Sequence, residues 1–68
     1  MPTNDQLVDA RNLSITLGVA NVSAIARNLH VAFNAAITIV EWLQNEGFCS
    51  RDFDRALGGY PISHKEQA

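Results

Sequence analysis

Apolar residues recur at helical spacing through three stretches of this chain, and the spacing breaks down after Gly47. Leu7, Ala10, Leu13 or Ser14, and Leu17 follow a helical period, with Val8 and Ile15 widening the apolar face. Thr3, Asn4 and Asp5 offer capping side chains, and Thr3 with Gln6 has capping-box spacing, so a first helix is expected near residues 5–17, ending at Gly18. Asp5 stands in its first turn, where the positive end of the helix dipole favours a carboxylate. Val19-Ala20-Asn21-Val22 reads as a connector. Ser23 can then cap a second, short helix near residues 23–30, with Ile25 and Leu29 turned inward and Arg27 and Asn28 left outside.

His30-Val31-Ala32-Phe33 interrupts that helix, and Asn34 can cap a third one near residues 34–46. Gly47 supplies the left-handed stop. Ala36, Ile37, Val40 and Leu43 or Gln44 form its inward stripe, while Ala35, Thr38, Glu41, Trp42 and Asn45 lie on or near the other side. A short helix, a tight turn and a longer helix make a helix-turn-helix unit, in which the longer helix is offered to the partner. Phe48-Cys49-Ser50 is expected as a short strand, Arg51 to Leu57 as a turn or wing, and Gly58 to Ile62 as the returning strand, confined to a sheet edge by Pro61. The expected fold is mainly α with a small β-hairpin: a winged helix-turn-helix of three helices and a short wing. It forms a single domain over residues 1–68, with its core at about 4–62 and a flexible tail at 63–68.

At 68 residues the chain has room for one small core and not for a two-domain enzyme cleft. Hydrophobic residues at 47% and charged residues at 18% fit a folded domain rather than a solvated tail. No apolar run is long enough to span a membrane, and Met1 to Asp5 lacks the basic leader of a secretory signal. With Cys49 the sole cysteine, a cytoplasmic protein is expected. Net charge is −2, which weakens any reading based on phosphate neutralisation unless the five Lys and Arg gather on one face.

Asp5 to Ala10, then Val22 to Ala36, then Ile39 to Gly47 resemble the gamma winged-helix domain of the FtsK/SpoIIIE DNA translocases, over roughly residues 5 to 50. The run Arg27-x-Leu29-x-Val31-x-Phe33-Asn34 and the downstream Glu41 and Gly47 carry the resemblance. It implies a winged helix that binds short, specific DNA elements orienting translocation and that activates a recombinase. The chain has no Gly-rich phosphate loop ending in Lys and Ser or Thr, so it is not itself a motor. It also departs from the family where DNA is read. Asn28 and His30 stand where relatives often carry basic residues, and Ala35 and Thr38 replace two arginines near the start of the recognition helix. From Ala20 through Gly47 a single cation, Arg27, faces two carboxylates, Glu41 and Glu46.

Two functional readings follow. In the first, a small non-catalytic winged-helix regulatory protein acts on double-stranded DNA, alone or as a dimer. Arg27 and Asn28 reach backbone or base edge, Asn34 a phosphate, Ala35 a thymine methyl and Thr38 a base or phosphate, with Arg51 and Arg55 anchoring the wing. In the second, the third helix binds a further copy or a larger regulatory protein through an exposed ridge of Ile39 and Trp42. No catalytic residue, cofactor or metal site is expected: Cys49 has no sequence-fixed partner in His30 or His64, and Asp52 and Asp54 read as turn or charge-balancing residues.

Overall fold

A computed structural model describes residues 1–63. The expected tail is described only at Ser63; residues 64–68, including His64, lie outside the described part. Three helices and a small antiparallel sheet form a winged-helix-like arrangement: α1 (Asn4–Leu17), β1 (Val19–Ala20), α2 (Val22–Leu29), α3 (Phe33–Asn45) and β2 (Tyr60–Pro61).

The start of α1 is closed by a reciprocal pair: the Thr3 hydroxyl accepts from the Gln6 amide at 3.1 Å, and the Gln6 side chain accepts from the Thr3 amide at 3.0 Å. At its other end Gly18 takes the left-handed conformation, φ 82°, and its N–H donates to the Ser14 carbonyl. Only one side of α1 is used for packing. Leu7, Ala10 and Ser14 are buried, whereas Val8, Ile15 and Leu17, expected on the apolar face, point outward. Ser14 is fully buried without penalty because its hydroxyl donates to the Ala10 carbonyl at 2.7 Å.

Two caps differ from expectation. Asn21, rather than Ser23, opens α2, its side-chain oxygen accepting from the Ala24 amide at 2.9 Å, and Ser23 lies exposed inside the helix. Asparagine wins because its amide end simultaneously donates to the Gly58 carbonyl at 2.7 Å, a second bond that a serine hydroxyl is too short to share. Asn34 does not cap α3 either. That helix starts a residue earlier from Ala32 with no side-chain cap, and Asn34 is its second residue. Between α2 and α3 the backbone turns at His30, which adopts φ 58°, and after α3 it turns at Gly47, φ 80°, as expected.

The segment read as a connector contains β1, which pairs antiparallel with β2 in the register Val19–Pro61 and Ala20–Tyr60. On the other side of β2, Cys49 pairs with Ile62, and farther out Asp54 pairs with Gly59, closing the wing. The returning segment is therefore central rather than an edge, despite Pro61. In an antiparallel pair the Pro61 position would exchange two hydrogen bonds with Ser50. The Pro61 carbonyl accepts from the Ser50 amide at 2.9 Å, and the Ser50 carbonyl, deprived of a proline donor, accepts from the Gln44 side chain at 3.2 Å instead. Ser63, expected in the frayed tail, donates its amide to the Phe48 carbonyl at 2.7 Å.

The core lies where α1, α2 and α3 meet under the sheet, around Ile25, Ala36, Ile39, Val40, Leu43, Phe48 and Cys49. Leu29 packs against its margin. No helix among the described residues is long and apolar enough to cross a membrane. Among the glycines Gly59 is the most closely approached: a Cβ there would stand 2.5 Å from the Ala20 carbonyl oxygen and 2.8 Å from a Val19 methyl. Gly59→Ala is expected to destabilise the protein by about 2 kcal/mol through this backbone clash, lowering the thermal midpoint by roughly 10 °C for a domain of this size. Urea and thermal unfolding followed by circular dichroism check it, and an unchanged midpoint would show that the sheet yields freely at this position.

Candidate functional site: the outer face of the third helix and the wing

Packing from two directions determines which part of α3 remains outside. On one flank, Met1 and Pro2 and the first turn of α1 at Gln6 share a shallow hollow with Ala35, Thr38 and Ile39. Ile39 is 1% exposed and belongs to the core, so the exposed ridge of Ile39 and Trp42 does not exist. Trp42 alone remains, 36% exposed. The inward stripe is shifted around the helix from the expected one: Ala36, Ile39, Val40 and Leu43 are buried, while Ile37 is only half-buried.

The solvent side of α3 carries Asn34, Ala35, Glu41 and Asn45, with Thr38 half-buried between them. The Thr38 hydroxyl donates to the Asn34 carbonyl at 3.2 Å, which leaves its oxygen lone pairs as the free polar feature. Because Ala32 supplies no capping side chain, the first-turn amides of α3 are left without one, and Ala32, Phe33, Asn34 and Ala35 are all exposed. Asn28 is exposed at the end of α2, its amide donating to the Ala24 carbonyl at 2.8 Å.

The cations are dispersed. Arg27 is exposed in the last turn of α2. Arg51 is exposed below the C-terminal end of α3 and donates to the Asn45 side chain at 2.7 Å, and Arg55 is exposed in the wing turn. Among the described residues neither Arg27 nor Arg55 has an ion-pair partner. Arg11 is engaged by Glu46 at 3.0 Å, an exposed pair joining α1 to the end of α3 that contributes less than about 1 kcal/mol. Asp54 builds the wing turn: its carboxylate accepts from the Ala56 and Leu57 amides at 2.9 and 3.1 Å, while its own amide donates to Gly59 at 2.8 Å. Asp52 is exposed beside Arg51.

On the flank opposite α1 lies an open cleft of about 430 Å³ between α3, the start of α2 and the wing. Phe33 and Ile37 form one wall, and Phe53 and Tyr60, packed edge to face with ring centres 5.5 Å apart, form the other. None of these four residues stands out from the sequence as a site. The available signal was Phe33, Ile37 and Glu41 at four-residue spacing along one helical line; the opposing aromatic wall depends on where the wing folds.

Comparison with known proteins returned no matching family model, no matching curated protein and no matching solved structure. Among the described residues no group of three or more His, Cys, Asp or Glu is placed to hold a metal ion. Cys49 is buried, and burial pushes its thiol pKa up, only partly opposed by the Arg51 cation. A thiol whose folded-state pKa is raised contributes its full stability below the ordinary cysteine range and loses it as pH climbs through the raised value. Thiol–disulfide exchange of Cys49 in the native protein is therefore expected to run at least about tenfold slower than in urea, and unfolding midpoints are expected to fall in alkali. Ellman's reagent and a pH series of melts read both, and a native thiol as reactive as the unfolded one would contradict the burial.

Proposed function

We propose that this protein is a small, non-catalytic winged-helix regulator that contacts double-stranded DNA with the N-terminal half of α3. The observation that carries the reading is the exposed, uncapped start of α3, with Arg27 exposed in the last turn of the helix before it. Amides at a helix start favour a phosphate, and a nearby guanidinium adds charge-assisted hydrogen bonds to the same strand. Asn34 and Ala35 then face base edges or methyl groups, Thr38 and Asn28 contribute polar contacts at the margin, and Arg51 and Arg55 meet the backbone from the wing. The resemblance to the gamma domain of the FtsK/SpoIIIE translocases supports the same assignment of surfaces.

Loss of two recognition-helix arginines changes the character of binding rather than the geometry of approach. With Arg27, Arg51 and Arg55 as the exposed cations among the described residues, these supply about three phosphate contacts, too few for high non-specific affinity. Two copies on one duplex would double a sparse contact set, which makes a dimer on DNA part of the proposal. A cytoplasmic location goes with it, supported by an unpaired buried thiol. The buried, protonated thiol of Cys49 and the use of Asp54 in a backbone turn support the non-catalytic part of the reading.

Titration of the full chain against a randomised duplex pool, at low and at physiological salt, tests the proposal. Expected is weak but duplex-dependent binding with a log–log salt slope no steeper than about −2.7 per protein, which is about a 40-fold loss for a fourfold rise in salt. Arg27→Ala should weaken binding to all sequences alike and make the slope shallower by about 1. Absence of any duplex-dependent signal at low salt would remove DNA from the function.

A further inference from the structure

We propose that the cleft between α3 and the wing is a docking site for a short helical segment of a partner protein, presenting two large apolar side chains one turn apart and a lysine or arginine one turn beyond them. Phe33, Ile37 and Glu41 succeed one another at four-residue steps along α3, about 6 Å apart each, the same repeat that a docked helix presents. Phe33 and Phe53 are 55% and 56% exposed on opposite walls, so the cleft leaves two phenyl rings half bare to water. Burying such rings is the main gain available to an occupant.

Charge selects the occupant further. Glu41 is the sole ionised side chain lining the cleft, it is exposed, and among the described residues it has no ion-pair partner. A phosphate backbone would meet this carboxylate with no cation to offset it, so nucleic acid does not suit the cleft. A cation on an otherwise apolar segment does. A second copy of the chain suits it poorly, because four residues before its helical arginines stand a buried leucine, Leu7 before Arg11, and a serine, Ser23 before Arg27, while Arg51 and Arg55 lie outside any helix. The proposal is independent of the DNA reading, which rests on Arg27, Asn34 and Ala35.

The test uses the isotope-labelled full chain and two helix-stabilised synthetic peptides with Leu and Trp four residues apart, differing only in Lys or Glu four residues further on. The Lys peptide should shift the amide resonances of Ile37, Glu41, Phe53 and Tyr60 and bind about five- to tenfold more tightly than the Glu peptide. Glu41→Lys should reverse that preference, and Ile37→Asp should weaken both peptides at least about tenfold. Should the charge reversal compromise folding, Glu41→Gln should abolish the difference between the two peptides. The proposal is overturned by equal binding of the two peptides, by shifts confined to other surfaces, or by self-association of the chain that perturbs the cleft without peptide. Duplex DNA shifting the cleft resonances while neither peptide does so would equally overturn it.

Discussion

The cleft side of this protein depends on the close approach of Gly59 to β1. The pairing of Val19 and Ala20 with Pro61 and Tyr60 joins residues about forty positions apart, and it forms only because nothing projects from Gly59 into the Ala20 carbonyl. Closing so long a loop carries an entropic cost that a two-residue strand pair repays poorly by itself. Asn21 reinforces the closure by bonding both the first turn of α2 and the Gly58 carbonyl. Through that one side chain the wing is referred directly to the helix-turn-helix unit. The position of Phe53 and Tyr60 opposite Phe33 and Ile37 follows from it.

The wing is held by substitutions for missing hydrogen bonds as much as by regular strand pairing. Pro61 cannot donate to Ser50, and Gln44 reaches from α3 to satisfy the orphaned carbonyl. Asp54 replaces a run of ladder bonds with a turn built on its own carboxylate. These devices use up polar groups that would otherwise be available on the surface. What remains on the outer side of α3 is a polar row of exposed Asn34, half-buried Thr38 and exposed Asn45, with exposed arginines on the segments before and after the helix and an apolar cleft on one side.

Two surfaces with opposite electrostatic character therefore share one helix. The start of α3 is uncapped, and the positive end of the helix dipole lies there. Four to eight residues on, Ile37 and Glu41 turn the same helix apolar and then acidic. A partner helix seated in the cleft and a duplex against the start of α3 would lie close enough to influence each other. That neighbourhood would couple occupancy of one surface to occupancy of the other.

The features legible in the sequence are the local ones. The capping box of Thr3 and Gln6, the stops at Gly18 and Gly47, the three helices within a residue or two of their expected bounds, and the inward Ile25 all rest on interactions between residues three or four apart, which any short window of sequence contains. The identity of the caps at Asn21 and Ala32, the strand at Val19 and Ala20, the central place of Pro61 and the burial of Ile39 were decided by the tertiary structure. Ser23 and Asn34 are good capping residues in isolation, but at Asn21 a distant carbonyl, that of Gly58, supplies a second bond. Ile39 and Ile37 are equally apolar and stand two positions apart on one helix. The first joins the core with Leu7 and Ala10 of α1 while the second lines the open cleft beside the wing, and the spacing of residues along α3 holds no information about which neighbour arrives on which side.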